Sequence, residues 1–556
     1  MKNYRILPVL ACFALPVAVV AGDSDGADLE IVHRIKQEAF EGSQVMDHLF
    51  FLTDVNGPRL SGSPGYLSAA RWAAKTMDDW GLKNSNLEAW GEFGRGWSLS
   101  RYEAHLIEPT YAPLGGVPLA WSGATKGPVT AGLVYAPLFE RWEQYKTSSL
   151  QELEKTVAEY IEKNRGKLKG KMVLLHAERK FDSPTKPASH RLEADELSDL
   201  SDAPEPYAVP RYTWPDWTIP EDPVKRREFY ASAPLFIRAD WWDREYEVRN
   251  KLSKFFDEEG PVAVLVTDNR GQGSLVFAEE VGSAWKPGAP VPPPSVVLAP
   301  EAYSRLVRLV QRDVPVKLQM NLQASFHDDD LQGYNVVAEI PGHDKKNELV
   351  MLGGHLDSWH AGTGATDNAA GCAVAMEAVR ILKTLDLDMD RTVRLALWGG
   401  EEQGLLGSRG YVSRHFGDPI TMELKPEHAT LSGYFNLDNG TGKIRGVHLQ
   451  ENDMMRPIFE SWFAPFKDLG ATTITIRNTG GTDHLSFNDV GLPGFQFIQD
   501  PLDYGSRTHH SNLDVYDHVI PADLMQASAI MAYIVYQAAT REEMLPRKPL
   551  PQPLGN

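Results

Sequence analysis

The residues with the clearest capacity for chemistry lie between Gly353 and Glu402. The segment opens GGHLDSWHAGTGATDNAAG and closes RTVRLALWGGEE. It holds a His-x-Asp (His355, Asp357), a lone Asp367 twelve residues after the His, and the adjacent pair Glu401–Glu402. Further on stand Asp438 in FNLDNG and His509–His510 in RTHHSNLD. Imidazole nitrogen and carboxylate oxygen are the donors zinc prefers, and these residue types suit a pair of Zn²⁺ ions. Asp367, opening a helix between the His355 strand and the Glu pair, is the natural bridge. Asp357 is placed to accept the second N–H of His355, and Asp514, four residues after His510, to do the same at the other end. Adjacent carboxylates on a strand point to opposite faces, so one of Glu401 and Glu402 is left over as a base for water activated between the metals.

Taken singly, each residue has an ordinary explanation. A Glu-Glu pair is usually solvated, and an Asp after a strand often caps a helix. Their shared position argues otherwise. From NVVAEI (335–340) onward, strands alternate with helices of 10–15 residues, which means an α/β domain with a mixed, largely parallel sheet and helices on both faces. The expected strands are Leu349–Leu352, Thr392–Trp398, Ser432–Leu437, Thr473–Ile476 and Gly494–Ile498. The expected helices are Ala369–Leu385, Leu405–His415, Met455–Leu469 and Ala522–Thr540. The acids and histidines fall at the carboxyl ends of these strands or just beyond, where open α/β sheets bind ligands.

Upstream, apolar periodicity predicts helices over Leu29–Leu52 and Tyr66–Trp80, joined by the turn-rich NGPRLSGSPG. Arg59 in that link reads as an exposed loop arginine, with an approach to an anionic substrate as the alternative. From about Ser98 to Gln323 the character changes to short β-like runs, such as GKMVLLHA and GPVAVLVTD, between Pro-rich and charged stretches, with helices expected over Ser148–Asn164 and Ala239–Glu259. The stretch 181–223 reads as a long surface excursion. The expected division is a signal peptide over 1–21, a catalytic domain from 22–100 and 326–545, an inserted β-rich domain over 101–325, and a Pro-rich tail over 546–556.

The chain has 556 residues and a net charge of -19, which disfavours nucleic acid and anionic membranes as partners. Lys2 and Arg5 ahead of an apolar run ending near Ala21 predict export with cleavage, leaving no integral membrane segment; lipid modification at Cys12 is the alternative. Of the two cysteines, Cys372 lies in an apolar helical stretch and reads as a small buried residue. His176 and His190 read as structural or surface residues.

At GGHLDSW, GATDNAAG, WGGEEQGLLGS, NLDNG and HHSNLDVYD the chain resembles the M28 family of co-catalytic zinc exopeptidases, on its carboxypeptidase Q-like branch. The insert resembles the protease-associated domain found at the same place in that group. The resemblance implies His355 and Asp438 on one zinc, Glu402 and His510 on the other, Asp367 bridging, and Glu401 as general base. It also suggests Tyr504 and His484 as substrate-side residues, a peptide substrate, and a homodimer. Secreted or periplasmic hydrolysis of peptide ends or dipeptides is the function it implies. Carboxypeptidase-type specificity, a cyclase-like acyl transfer, or an inactive relative are the alternatives. The filled ligand positions weigh against the last, and the absence of a long helical segment after Thr540 against the larger glutamate carboxypeptidase architecture.

Overall fold

The run Val350-Met351-Leu352 sets the pattern of the first sheet. Val350 and Leu352 point into one apolar cluster and Met351 into another, so both faces of the strand are buried. A parallel strand covered on both sides has this continuous apolar character. The computed structural model describes residues 28–551, apart from 142–143, 145–149, 182–184, 186 and 204–234. The expected signal peptide, Cys12, and most of the 181–223 excursion therefore lie outside the described residues.

The first sheet has eight strands: β1 (Lys83–Glu92), β2 (Gln332–Ile340), β3 (Lys345–His355), β4 (Arg391–Trp398), β5 (Leu431–Asn436), β6 (Ile444–His448), β7 (Thr473–Thr475) and β8 (Gly494–Gln499). Their spatial order is β1-β2-β4-β3-β5-β8-β6-β7. The central strands β4, β3, β5 and β8 are mutually parallel, while β1, β2 and β6 join antiparallel. In register, Leu352 faces Leu395 on β4 and Phe435 on β5.

One face is covered by helices α1 (Leu29–Glu41), α2 (Pro64–Asp79), α3 (Ala370–Thr384) and, at the carboxyl side of the chain, Pro521–Thr540. The other is covered by Leu406–His415 and His484–Asn488, whose Tyr411, Val412 and Phe487 meet Met351, Trp398 and Tyr434. The helix expected over 29–52 is broken. Gly42 caps α1 by donating its N–H to Glu38 O, and a second helix starts at Val45. The helix expected over 455–469 keeps α geometry only over Arg456–Phe463 and tightens to 3₁₀ turns at both ends. Strands β1 and β6, polar or short in sequence, were not expected.

Between β1 and β2 in the sequence lies a second eight-stranded sheet, bounded by the long antiparallel pair Gly96–Glu108 and Lys317–His327. Its helices Leu150–Asn164 and Leu235–Glu259 fall where the periodicity placed them, and Pro300–Val310 is additional. An aromatic cluster of Phe93, Trp97, Trp121, Trp285 and Trp359 packs it against the unit built on the first sheet. His176 is tied to Thr267 O at 2.7 Å, a structural role. Among the described residues no helix is long and apolar enough to cross a membrane.

Candidate metal centre

Two glycines allow the centre to form. A Cβ on Gly353, near the end of β3, would lie 1.9 Å from Ala396 O on β4, and one on Gly371 at the start of α3 would lie 2.1 Å from Leu437 O. Only glycine permits strand end, helix start and the β5 exit to approach so closely. That approach delivers His355, Asp367 and Asp438 to one point. Asp367 sits in the irregular turn Ala365–Ala369 ahead of α3, where the Asp367–Asn368 peptide is cis. Asn368 holds the turn down, donating to Leu437 O at 2.9 Å and accepting from Gly371 N at 3.0 Å.

Asp367 lies between the two histidines. Its Oδ1 is 3.2 Å from His355 Nε2 and its Oδ2 is 3.2 Å from His510 Nε2. Asp438 Oδ1 is 3.5 Å from His355 Nε2, Glu402 Oε2 is 3.1 Å from His510 Nε2, and Glu401 Oε2 stands 4.0 Å from His355 Nε2. Six candidate residues from the ends of β3, β4 and β5 and the loops beyond them therefore converge, His355, Asp367, Glu401 and Asp438 buried, with His509 stacked on His510 at 3.7 Å between ring centroids. His509 Nε2 is 3.7 Å from Asp367 Oδ2, farther than that of His510.

The electrostatics of this cluster call for a cation. Burial, together with the neighbouring Asp367, raises the Glu402 carboxyl to about 8. Burial with Asp438, Asp483 and Glu402 nearby holds Glu401 well above the usual carboxylate range, despite the opposing pull of His355. Burial alone would lower His355, but Asp438 and Glu401 override it and hold the imidazole high. Asp367 Oδ2, Glu402 Oε1 and Asp438 Oδ1 are buried and accept no well-aligned hydrogen bond. Buried anionic oxygens left in that state cost several kcal/mol each by order of magnitude unless paired or coordinated. Two sets of three donor atoms, from His355, Asp367 and Asp438 and from Asp367, His509 and His510, are each close enough to hold a metal ion. The residues fit a metal centre of nitrogen and oxygen donors.

Residues 335–535 match the family described as Peptidase family M28. Over that stretch the chain is similar to peptidase family M28. Carboxypeptidase Q from Bos taurus is 31% identical over 292 residues, 52% of this chain and 59% of that protein, so the match spans little more than half of the relative's length. The crystal structure of a peptidase M28 precursor from Shewanella amazonensis superposes with a TM-score of 0.62 at 23% identity, covering 94% of this chain and 98% of that one. BSAP, a zinc aminopeptidase from Bacillus subtilis, gives a TM-score of 0.52 at 19% identity, covering 90% and 95%. Both structures share the fold.

The surroundings of the centre differ in part from the sequence-based expectation. Asp357 does more than face His355, whose Nδ1 lies 3.0 Å from Asp357 O and 3.5 Å from its carboxylate. The Asp357 carboxylate also accepts from Ser61 Oγ at 2.8 Å and from the backbone N–H of Glu401 and Glu402 at 3.2 Å, fixing the Glu pair. Asp514 does not serve His510. It accepts from Thr366 N at 2.5 Å, because the chain turns it toward the Asp367 loop. His510 Nδ1 instead meets Glu279, a residue of the second sheet unit that nothing in its local sequence marks out. Arg59 is neither exposed nor substrate-facing. Fully buried, it donates to the carbonyls of Leu52, Leu356, Thr363 and Gly364 at 2.6–2.9 Å, bracing the loops under the centre. Tyr504 lies against Gly440 and 4.8 Å from the His509 ring, beside the carboxylates. His484 is turned away into the interior, with Thr479 O and Gln450 at its Nε2, while its neighbour Asp483 is buried near the cluster and raised to about 7 by burial. Cys372 is a buried free thiol donating to His355 O.

Proposed function

We propose that the chain is an exported di-zinc exopeptidase of aminopeptidase or dipeptidase type, with Glu401 as its general base. The observation that carries this reading is the placement of Asp367, whose two oxygens face His355 and His510 at equal distance. His355 and Asp438 would hold one ion, Glu402 and His510 the other, and Asp367 both. When bound, such ions polarise a peptide carbonyl and acidify water held beside it. Glu401 is the remaining carboxylate. Its backbone is pinned by Asp357, and its raised affinity for a proton suits it to take one from the attacking water and hand it to the departing amine. Tyr504 is the proposed donor to the carbonyl oxygen. The apolar and aromatic wall built by Trp359, 5.9 Å from the His510 ring, would shelter the reacting groups from bulk water.

The name of the relatives at 31% identity supports a second reading, release from the carboxyl end. Product analysis on peptides with free and blocked termini separates the two. Loss of the N-terminal residue only from peptides with a free amine, abolished by chelator and restored by Zn²⁺, is expected. Cleavage that needs a free carboxylate and tolerates a blocked amine would establish the second reading.

A further inference from the structure

The two imidazoles of the centre are built alike but anchored differently. His355 Nδ1 is held from within its own strand end, by Asp357, leaving Nε2 toward Asp367 and Asp438. His510 Nδ1 is held by Glu279 Oε1 at 2.8 Å, across the boundary between the two sheet units. We propose that Glu279 is a positioning residue for the metal centre, fixing the tautomer and ring orientation in which His510 presents Nε2 to Glu402 and Asp367. This rests on the reading of His510 as a metal ligand.

Three observations carry it. With Nδ1–H donated to Glu279, Nε2 bears a lone pair, yet it faces Glu402 Oε2 at 3.1 Å and Asp367 Oδ2 at 3.2 Å. A lone pair facing two carboxylate oxygens is repulsive unless a cation, either a proton or a metal ion, lies between them. A ligating imidazole whose other nitrogen donates to a carboxylate is the arrangement that satisfies this.

Glu279 is also held in place along its backbone. On one side Ala120 N donates to Glu279 O at 2.9 Å and Val281 N to Ala120 O at 3.0 Å, tying the segment into the second sheet unit. On the other, Ala278 N donates to His510 O at 3.1 Å, Asn512 N to Val276 O at 3.0 Å, and Val276 N to Asn512 Oδ1 at 2.8 Å. Phe277 and Ser511 form a bridge between these rungs.

Finally, His510 sits at φ 65°, in the left-handed region where a non-glycine residue needs external support. The rungs and the Glu279 bond together supply that support to backbone and ring. Arg270, stacked on Phe277 at 4.1 Å and 3.5 Å from Glu279 Oε1, limits the freedom of the carboxylate in turn.

The test uses full-length metal-free protein titrated with Zn²⁺ against a chromophoric chelator, and the thermal midpoint of each metal-free form. Glu279→Met keeps length but removes the acceptor, Glu279→Gln keeps an acceptor oxygen, and His510→Ala removes the imidazole. Glu279→Met is expected to weaken one zinc site by about 10–100-fold, with the metal-free midpoint unchanged, and Glu279→Gln to recover most of that affinity. Wild-type titration by Glu279→Met, a loss that Glu279→Gln does not recover, or a collapsed metal-free midpoint in Glu279→Met would overturn the proposal. His510→Ala separates the levels: if it loses a site while Glu279→Met does not, only the role of Glu279 fails. If His510→Ala also titrates as wild type, the ligand assignment fails with it.

Discussion

Glu401 and Glu402 are adjacent in sequence and, in the proposed mechanism, divide the work of the site. Glu402 points at His510, and Glu401 stands off at 4.0 Å from His355. Replacing Glu401 by Gln keeps size and backbone contacts but removes the base. It should lower kcat about 10²–10⁴-fold with zinc content and KM near wild type; steady-state kinetics beside metal analysis checks this, and a Gln variant of full activity would refute the assignment. The side chains at strand ends, His355 and Asp438, and at a helix start, Asp367, were legible because strand ends and helix-opening acids leave a local signature. Glu279 was not, since its role arises from a contact 231 residues away in sequence. Asp514 was misread for the related reason that four-residue spacing says nothing of side-chain direction once the chain leaves a helix.

At the scale of elements, the centre depends on how closely β3, β4 and α3 can pack. Gly353→Ala would place a methyl group 1.9 Å from Ala396 O, a backbone atom of a central strand that cannot swing aside. Its cost should reach or exceed the upper end of the about 1–3 kcal/mol typical of overpacking, read as a fall in the urea midpoint. Gly505→Ala, with no neighbour within 4 Å of the added carbon, is the control and should change little. The parallel strands were readable from their continuous apolar runs, two-faced burial having removed the alternation that would otherwise mark a strand. Edge strand β1, KNSNLEAWGE, carries too few apolar residues to announce itself and is specified by its pairing with β2. The break after α1 was hidden because the apolar spacing resumes on the far side of Gly42.

For the molecule as a whole, one buried carboxylate gathers polar ties from both N-terminal helices, beside their apolar packing on the core. Glu377 on α3 accepts from Gln44 N at 3.0 Å, from Arg380 at 2.7 and 2.9 Å, and lies 3.1 Å from His48 Nε2. Arg380 also reaches Glu38 on α1 at 2.8 Å. Burial opposes ionisation of Glu377, but His48 and Arg380 outweigh it and hold the carboxyl below its ordinary value. A depressed carboxyl stabilises the fold above its unfolded value, about 4.3, and that contribution is lost as pH falls through the lower, folded value. Glu377→Gln should therefore flatten the acid limb of a stability-against-pH curve below about pH 5, with denaturant midpoints as the readout. A limb as steep as wild type would place the acid sensitivity elsewhere.

The rungs between residues 276–278 and 510–512 also have a mechanical consequence. They make the second sheet unit and the His510 loop one load path, so a hinge motion that lifted the unit from the first sheet would break these bonds and drag on an imidazole of the centre.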